Sequence, residues 1–358
     1  MGQISSSAFR AQLHDRHSVQ KHMTAPEMAA QSWVGLSDKG LIAPMLQKHQ
    51  TLRRGYFVVE FTAPQGHGEV ILNHQTHDGL PRSFAVFFDQ HAGISVLHRK
   101  GTQVARHMLR GPLPRVDGTA RLTFKFDLDA DSWAIGFDIL GGSGEGLTAT
   151  GSSPLPFDLA DIAQICTGAD RHEKLLWFGF CHGVEMPKSG PWISQRTMVQ
   201  TDRGLVAAGN LNRGDIVLTF DQGPLRLPAV HRFEVPARGS FAPVLLRAPF
   251  FATGQDLLVS ADQKLLISSG EVEYLFGTDA VLVAAKEVID GRTALVDDRR
   301  AVSSALRLDV GRPALIDVGG LVLTIGHDDN LPSDYPSLNR FEVATLMAML
   351  RRQVSRVA

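Results

Sequence analysis

Asp127, Asp129 and Asp131 stand at alternate positions of "DLDADS", the spacing with which calcium loops present carboxylates to a hard cation. The sixth position is Ser132 rather than glycine, and the twelfth is Asp138 inside text with strand character, so an EF-hand is excluded. The three aspartates read as a hairpin turn, with a peripheral calcium site as the alternative. His74, His77 and Asp78 in "HQTHD", with His67 shortly before, supply zinc-type donors, but they fall in turn-rich text that reads as a solvated loop. His14, His17 and His22 read as a polar tail in the same way. No cofactor is expected. In "LLWFGFCHGVE", Trp177, Phe178 and Phe180 have the bulk for stacking on a sugar, but are too close in sequence to share one face. At least one is core, and the exposure of Trp177 separates the two readings. The chain has no P-loop glycine pattern, no H-E-x-x-H and no G-x-S-x-G, which removes the common NTPases, zincins and serine hydrolases.

These residues sit among short segments of period-two alternation. Phe57, Val59 and Phe61 in "YFVVEF", Phe84, Val86 and Phe88 in "SFAVFF", and Leu122, Phe124 and Phe126 in "RLTFKFDL" each give one apolar face per strand. Trp133, Ile135, Phe137 and Ile139 continue the pattern, and Gly, Pro, Asp or Asn bound each run. With no helical text between them, these strands predict an antiparallel β-sandwich over residues 41–190, after a polar tail or loose helix over 1–40. The prolines and glycine of "MPKSGPW" mark the boundary. A second all-β region, 191–334, opens with "TMVQT" and "DIVLTF" around Asp202, Gly204, Asn212, Gly214, Asp221 and Gly223. The end, 335–358, predicts an amphipathic helix: Val343, Leu346, Met347, Leu350, Val354 and Val357 fall near helical spacing, and Asn339 with Glu342 resembles a capping box.

At 358 residues, 44% hydrophobic and 20% charged, the chain has the composition of two globular domains. A net charge of −1 argues against nucleic acid as a partner, because phosphate neutralisation needs clustered Lys and Arg. No run reaches the length of a membrane helix, and the N-terminus lacks the apolar core of a secretory signal. Cys166 and Cys181 read as buried free thiols, so a cytoplasmic location is expected, with unconventional export left open.

Thr197, Gly204, Leu211, Gly214, Asp215, Val217, Thr219 and Asp221, followed in order by "DLLVSADQKLLI" and "VEYLFGTDAVLVAAKEVIDG", resemble the Hint fold of hedgehog proteins and inteins, specifically bacterial Hint-domain proteins. The resemblance covers about residues 192–291 closely and 292–358 loosely. It implies an acyl shift, in which the first residue attacks the preceding peptide carbonyl and a histidine of a Thr-x-x-His segment protonates the amide nitrogen. Carried over by spacing, the nucleophile position is Trp192, which cannot attack, and the Thr-x-x-His segment is Ser260-Ala261-Asp262-Gln263, whose last residue does not titrate. The nearest text to a terminal His-Asn pair is "GHDDN", His327 to Asn330. The expectation is a Hint domain with degenerate catalytic positions and a binding or structural role. The alternative is self-cleavage near residues 191–197 by a displaced Ser194 or Thr197, with Asp262 or His231 as base. The sandwich is similar in architecture to laminin-G or concanavalin-like domains, which implies a glycan or protein partner.

Overall fold

The computed structural model describes residues 31–42, 50–62, 68–76, 79–115, 118–142, 146–183, 190–326 and 334–357. Alternation builds the first domain. The strands Leu147–Gly151, Ser132–Ile139, Thr119–Asp127, Arg54–Thr62, Leu175–Gly183, Gln31–Leu36 and Gly40–Leu41 lie side by side in a seven-stranded sheet. A five-stranded sheet, Asp170–Arg171, Glu69–Thr76, Arg82–Asp89, Gly93–Lys100 and Gln103–Arg110, packs its core against it. Phe57 from one sheet meets Phe84 from the other edge-on at 4.9 Å, and Phe61 meets Phe88 at 5.7 Å, so the alternating phenylalanines interdigitate as a sandwich core.

Two features differ from the sequence expectation. Residues 31–40, expected in a polar tail, contribute the strand Gln31–Leu36 and the start of Gly40–Leu41 to the larger sheet. Trp33, Val34 and Leu36 are all buried there, so the strand shows no alternation to read. Residues 1–30 lie outside the described residues. The strand-only reading also passes over a helix, α1 (Leu159–Gly168), which buries Leu159, Ile162, Ile165 and Cys166.

The second domain is also antiparallel β. A six-stranded sheet runs Ala229–Pro236, Val302–Asp309, Ile193–Ser194, Leu257–Val259, Val244–Leu246 and Ala294–Val296. One four-stranded sheet holds Gly204–Ala207, Met198–Thr201, Ile216–Thr219 and Gly223–Arg226, and another holds Val281–Ala284, Lys264–Ile267, Val322–Ile325 and Ala314–Asp317. A short helix, α2 (Gly270–Phe276), and the terminal α3 (Arg340–Val357) pack on this core through Val272, Val343 and Leu346. Both domains contribute to a third cluster, in which Trp33, Tyr56, Val58 and Trp177 of the sandwich enclose Phe241 of the second domain.

Candidate functional site

The short strand Ile193–Ser194 is threaded through the middle of the six-stranded sheet. Ile193 pairs with Val259 on one side and with Leu306 on the other. This places Trp192 beside Ser260, at the end of Leu257–Val259, although the two are far apart in sequence. The contact is reciprocal: the Trp192 N–H donates to Ser260 Oγ at 3.1 Å, and the Ser260 N–H donates to the Trp192 carbonyl at 3.0 Å. Gly190 passes so close above that a β-carbon on it would stand 2.6 Å from Ser260 Oγ, so a side chain there would displace the Ser260 hydroxyl. From the other side, Arg307 donates through Nε to the Pro191 carbonyl and through Nη2 to the Gly190 carbonyl, each at 3.2 Å. The Pro191–Trp192 peptide is therefore gripped at its nitrogen by a hydroxyl and at its carbonyl by a guanidinium.

Trp192 and Gln263 stand at the positions that the resemblance assigns to the attacking and proton-donating groups. The Trp192 indole is 1% exposed and packs against Val235, Ala305 and Phe233. Gln263, also 1% exposed, turns its amide toward the strand Val322–Ile325, donating to the Thr324 carbonyl at 2.8 Å and to its hydroxyl at 3.2 Å. Its backbone carbonyl accepts the Ala285 N–H at 2.8 Å, which fixes the turn on which it sits. Asp262 is ion-paired with Lys286 at 2.8 Å. Lys264 is drawn below the usual lysine range by burial and then by Lys286, and donates to Ser337 Oγ at 2.8 Å.

The displaced hydroxyls lie further along the same chain. Ser194 Oγ accepts the Arg196 N–H at 3.2 Å, and Thr197 is 2% exposed with no hydrogen-bond partner for its hydroxyl among the described residues. His231 is exposed on Ala229–Pro236, in register with Arg307. Ser194 pairs with Ala305 on the intervening strand, so Ser194 and His231 are separated by two strand spacings, about 10 Å, before their offset along the sheet is added. A hydrogen bond between them is out of reach. His327 to Asn330 lie outside the described residues.

The remaining candidates serve the sandwich. Asp127 accepts the N–H groups of Asp129 and Ala130, each at 3.0 Å, Asp129 pairs with Arg53 at 2.9 Å, and Asp131 accepts the Ser153 N–H at 2.9 Å. Each carboxylate thus closes a turn or ties it to its neighbours. His74 lies on Glu69–Thr76, while His14, His17, His22, His67, His77 and Asp78 lie outside the described residues. Trp177 is 2% exposed and donates to Glu60 at 2.7 Å, so it is an interior residue, not a stacking platform. Phe178 and Phe180 belong to the sandwich core. Sequence reasoning missed Arg307, whose guanidinium reaches the backbone carbonyls of Gly190 and Pro191, and Thr324, which accepts from Gln263; such long-range contacts leave no motif.

Residues 193–321 match the family model described as the Hint domain. No curated protein matches the chain. Among solved structures, the splice-inactive AceL NrdHF class 3 split intein is 14% identical, covering 39% of this chain and 99% of that chain at a TM-score of 0.27. The CBM40 of the Ruminococcus gnavus IT-sialidase is 14% identical over 42% of this chain and 77% of its own, at a TM-score of 0.25. The same module bound to alpha2,6 sialyllactose is 11% identical over 45% and 93%, at 0.28. The matched model and the observed β architecture agree on one assignment: residues 193–321 form a Hint domain, which this chain joins to an N-terminal β-sandwich.

Proposed function

We propose that this Hint domain retains the frame that holds a peptide for acyl shift but does not cleave, and that the chain acts as a binding or structural protein. The Pro191–Trp192 peptide carries the reading. Ser260 and Arg307 grip it at both ends, while the residue in the attacking position is a sealed indole and the residue in the proton-donating position is an amide bonded to Thr324. An indole carbon skeleton offers no nucleophile for the carbonyl, and a carboxamide has no proton to give near neutral pH. Intact mass of freshly purified full-length protein, with and without hydroxylamine or a thiol, tests this, and a single uncleaved species is expected in every condition.

The second reading, self-cleavage near residues 191–197, draws on the unpartnered hydroxyl of Thr197. It lacks an available base: Asp262 is paired with Lys286, and His231 lies two strands from Ser194. Fragments that vanish in Ser194→Ala or Thr197→Ala would establish this second reading and overturn the first.

For the sandwich, the function supported best is recognition of a glycan on the outer face of the five-stranded sheet. Inward Phe84, Val86 and Phe88 leave Ser83 facing out beside Arg99, and Arg106 donates to Ser95 at 3.1 Å on the same face. Hydroxyl and guanidinium groups on one sheet face suit the hydroxyls and carboxylates of a sugar. A glycan array probed with the full chain should give signals that Arg99→Ala weakens at least fivefold, and silence across the array would remove the glycan and favour a protein partner. We place the chain in the cytoplasm, in keeping with two buried thiols, Cys166 and Cys181, both pushed up to about 12 by desolvation.

A further inference from the structure

The sheet containing Lys264–Ile267 and Val322–Ile325 has two faces of different fate. Leu265 and Leu323 pair across it and are fully buried in the Hint core. Their neighbours Leu266 and Val322 pair on the opposite face and are only half-buried. Helix α3 is anchored in the Hint core through Val343 and Leu346, while its Met347 and Leu350 line an open cleft of about 810 Å³ together with Leu266 and Val322. Phe220 and Phe250, 59% and 36% exposed, stand in its lining. Phe251 joins them at φ 60°, a left-handed conformation that a bulky side chain rarely adopts. None of the lining residues belongs to the Trp192, Ser260 and Gln263 site.

Polar groups enter the cleft chiefly from the turn at 290–293. The Asp290 carboxylate faces its own turn, accepting the N–H groups of Arg292, Thr293 and Ala294 and the Thr293 hydroxyl. Arg292 is exposed, lines the cleft and makes no ion pair among the described residues. The volume falls within the range of small-molecule sites, and the lining is mostly apolar, with Arg292 as its exposed cation. That combination fits an elongated hydrocarbon with an anionic head, the head on the guanidinium and the chain between the sheet and α3.

We propose that this cleft binds a single-chain aliphatic carboxylate, with Arg292 holding the carboxylate and Leu266, Val322, Met347 and Leu350 enclosing the chain. Each methylene added to the buried chain tightens binding by about fourfold. Calorimetric titration of the full-length protein with octanoate, decanoate and dodecanoate, each below its micelle concentration, reads this directly. Affinity is expected to climb by about tenfold or more at each step of two carbons. Arg292→Gln should weaken dodecanoate at least fivefold while leaving dodecanol unchanged, and Met347→Glu, on the partly exposed side of α3, should abolish binding of both with the melting temperature preserved. Absence of saturable dodecanoate binding, or binding indifferent to both substitutions, overturns the proposal. Co-flotation with phosphatidylcholine vesicles that Met347→Glu abolishes, without binding of the free carboxylate, would make the cleft a membrane contact and overturn it equally. These readouts do not depend on whether the Pro191–Trp192 peptide is cleaved.

Discussion

On the proposed reading, Ser260 keeps a task that Trp192 and Gln263 do not share. Its hydroxyl still meets the amide nitrogen that an acyl shift would release, so replacing both lost groups tests the frame. Trp192→Cys with Gln263→His should form a thioester between the Pro191 carbonyl and the new thiol, and added hydroxylamine or thiol should take up the acyl group and release two fragments by mass, whereas Gln263→His alone should yield none. Removing the indole leaves a cavity costing about 3–5 kcal/mol, so a melting curve must accompany the assay. A folded double variant that stays intact would contradict the reading of Ser260 and Arg307 as a retained frame. The segment Ser260 to Gln263 was legible as a candidate, because the resemblance there rests on one short run of sequence. Arg307 was not, since it reaches a backbone carbonyl 116 residues away and no local pattern marks such a contact. Two other residues make a pH prediction. His98 is held down to about 3 by burial and then by His107, and His107 is held to about 4 by burial. His98 stacks on Phe157 and His107 on Phe124, so both sit neutral inside the sandwich. The unfolded chain takes up these protons near pH 6.5 and the folded chain does not. Stability is thus fully present above about pH 6.5 and falls as pH drops toward 4, by up to about tenfold in the folding equilibrium per pH unit for each histidine. Melting temperatures from pH 8 to 4.5 should show this slope, and His98→Phe should shallow it; an unchanged slope would remove His98 from the account.

Helix α3 was readable from its start signal, and α1 was not. The Asn339 side chain accepts the N–H groups of Phe341 and Glu342 at 2.9 and 3.1 Å, while Glu342 returns to the Asn339 N–H at 2.8 Å, a complete capping box. Asp158 occupies the equivalent place before α1 but makes no side-chain cap. Its carboxylate instead accepts from Thr51 at 2.7 Å and Lys100 at 2.8 Å, tying the helix to two strands. A start residue bonded elsewhere gives no local signal, and a ten-residue helix is too short for its periodicity to overcome the strands around it. The two helices therefore depend on their first residues differently. Asn339→Ala should cost about 1 kcal/mol and lower the melting temperature by about 2–4 °C, because Val343 and Leu346 still anchor α3. A loss well beyond this would mean that the box also fixes the docking of α3 on the Hint core.

The two domains are joined by more than the chain between them. Glu60, on the sandwich strand Arg54–Thr62, is fully buried, and all its partners converge at the contact. Arg121 pairs with it at 3.0 Å, Trp177 donates at 2.7 Å, and the Ser240 N–H of the Hint domain donates at 2.9 Å, with the Ser240 hydroxyl beside it. Arg121 also lies 4.7 Å over the ring of Phe241, so one guanidinium serves both domains. A buried carboxylate stripped of such donors is strongly destabilising, so separation of the domains is opposed from within the sandwich itself. No sequence pattern announces Glu60, since its partners Arg121, Trp177 and Ser240 come from three separate elements. The tightest point is Gly239, at φ 53°, where a β-carbon would stand 2.0 Å from Trp177 Nε1 and 2.1 Å from Glu60 Oε2. Neither neighbour can retreat without breaking the bond between them. Gly239→Ala should therefore push the Hint domain off the sandwich while leaving each core intact. Calorimetry is expected to show one cooperative transition for the native chain and two for Gly239→Ala, with Gly254→Ala, where nothing lies within 4 Å, unchanged. A single transition at the native temperature in Gly239→Ala would mean that the domains are only tethered. Two transitions would show a Hint domain locked to its neighbour, an arrangement suited to a chain that keeps both parts together rather than releasing one.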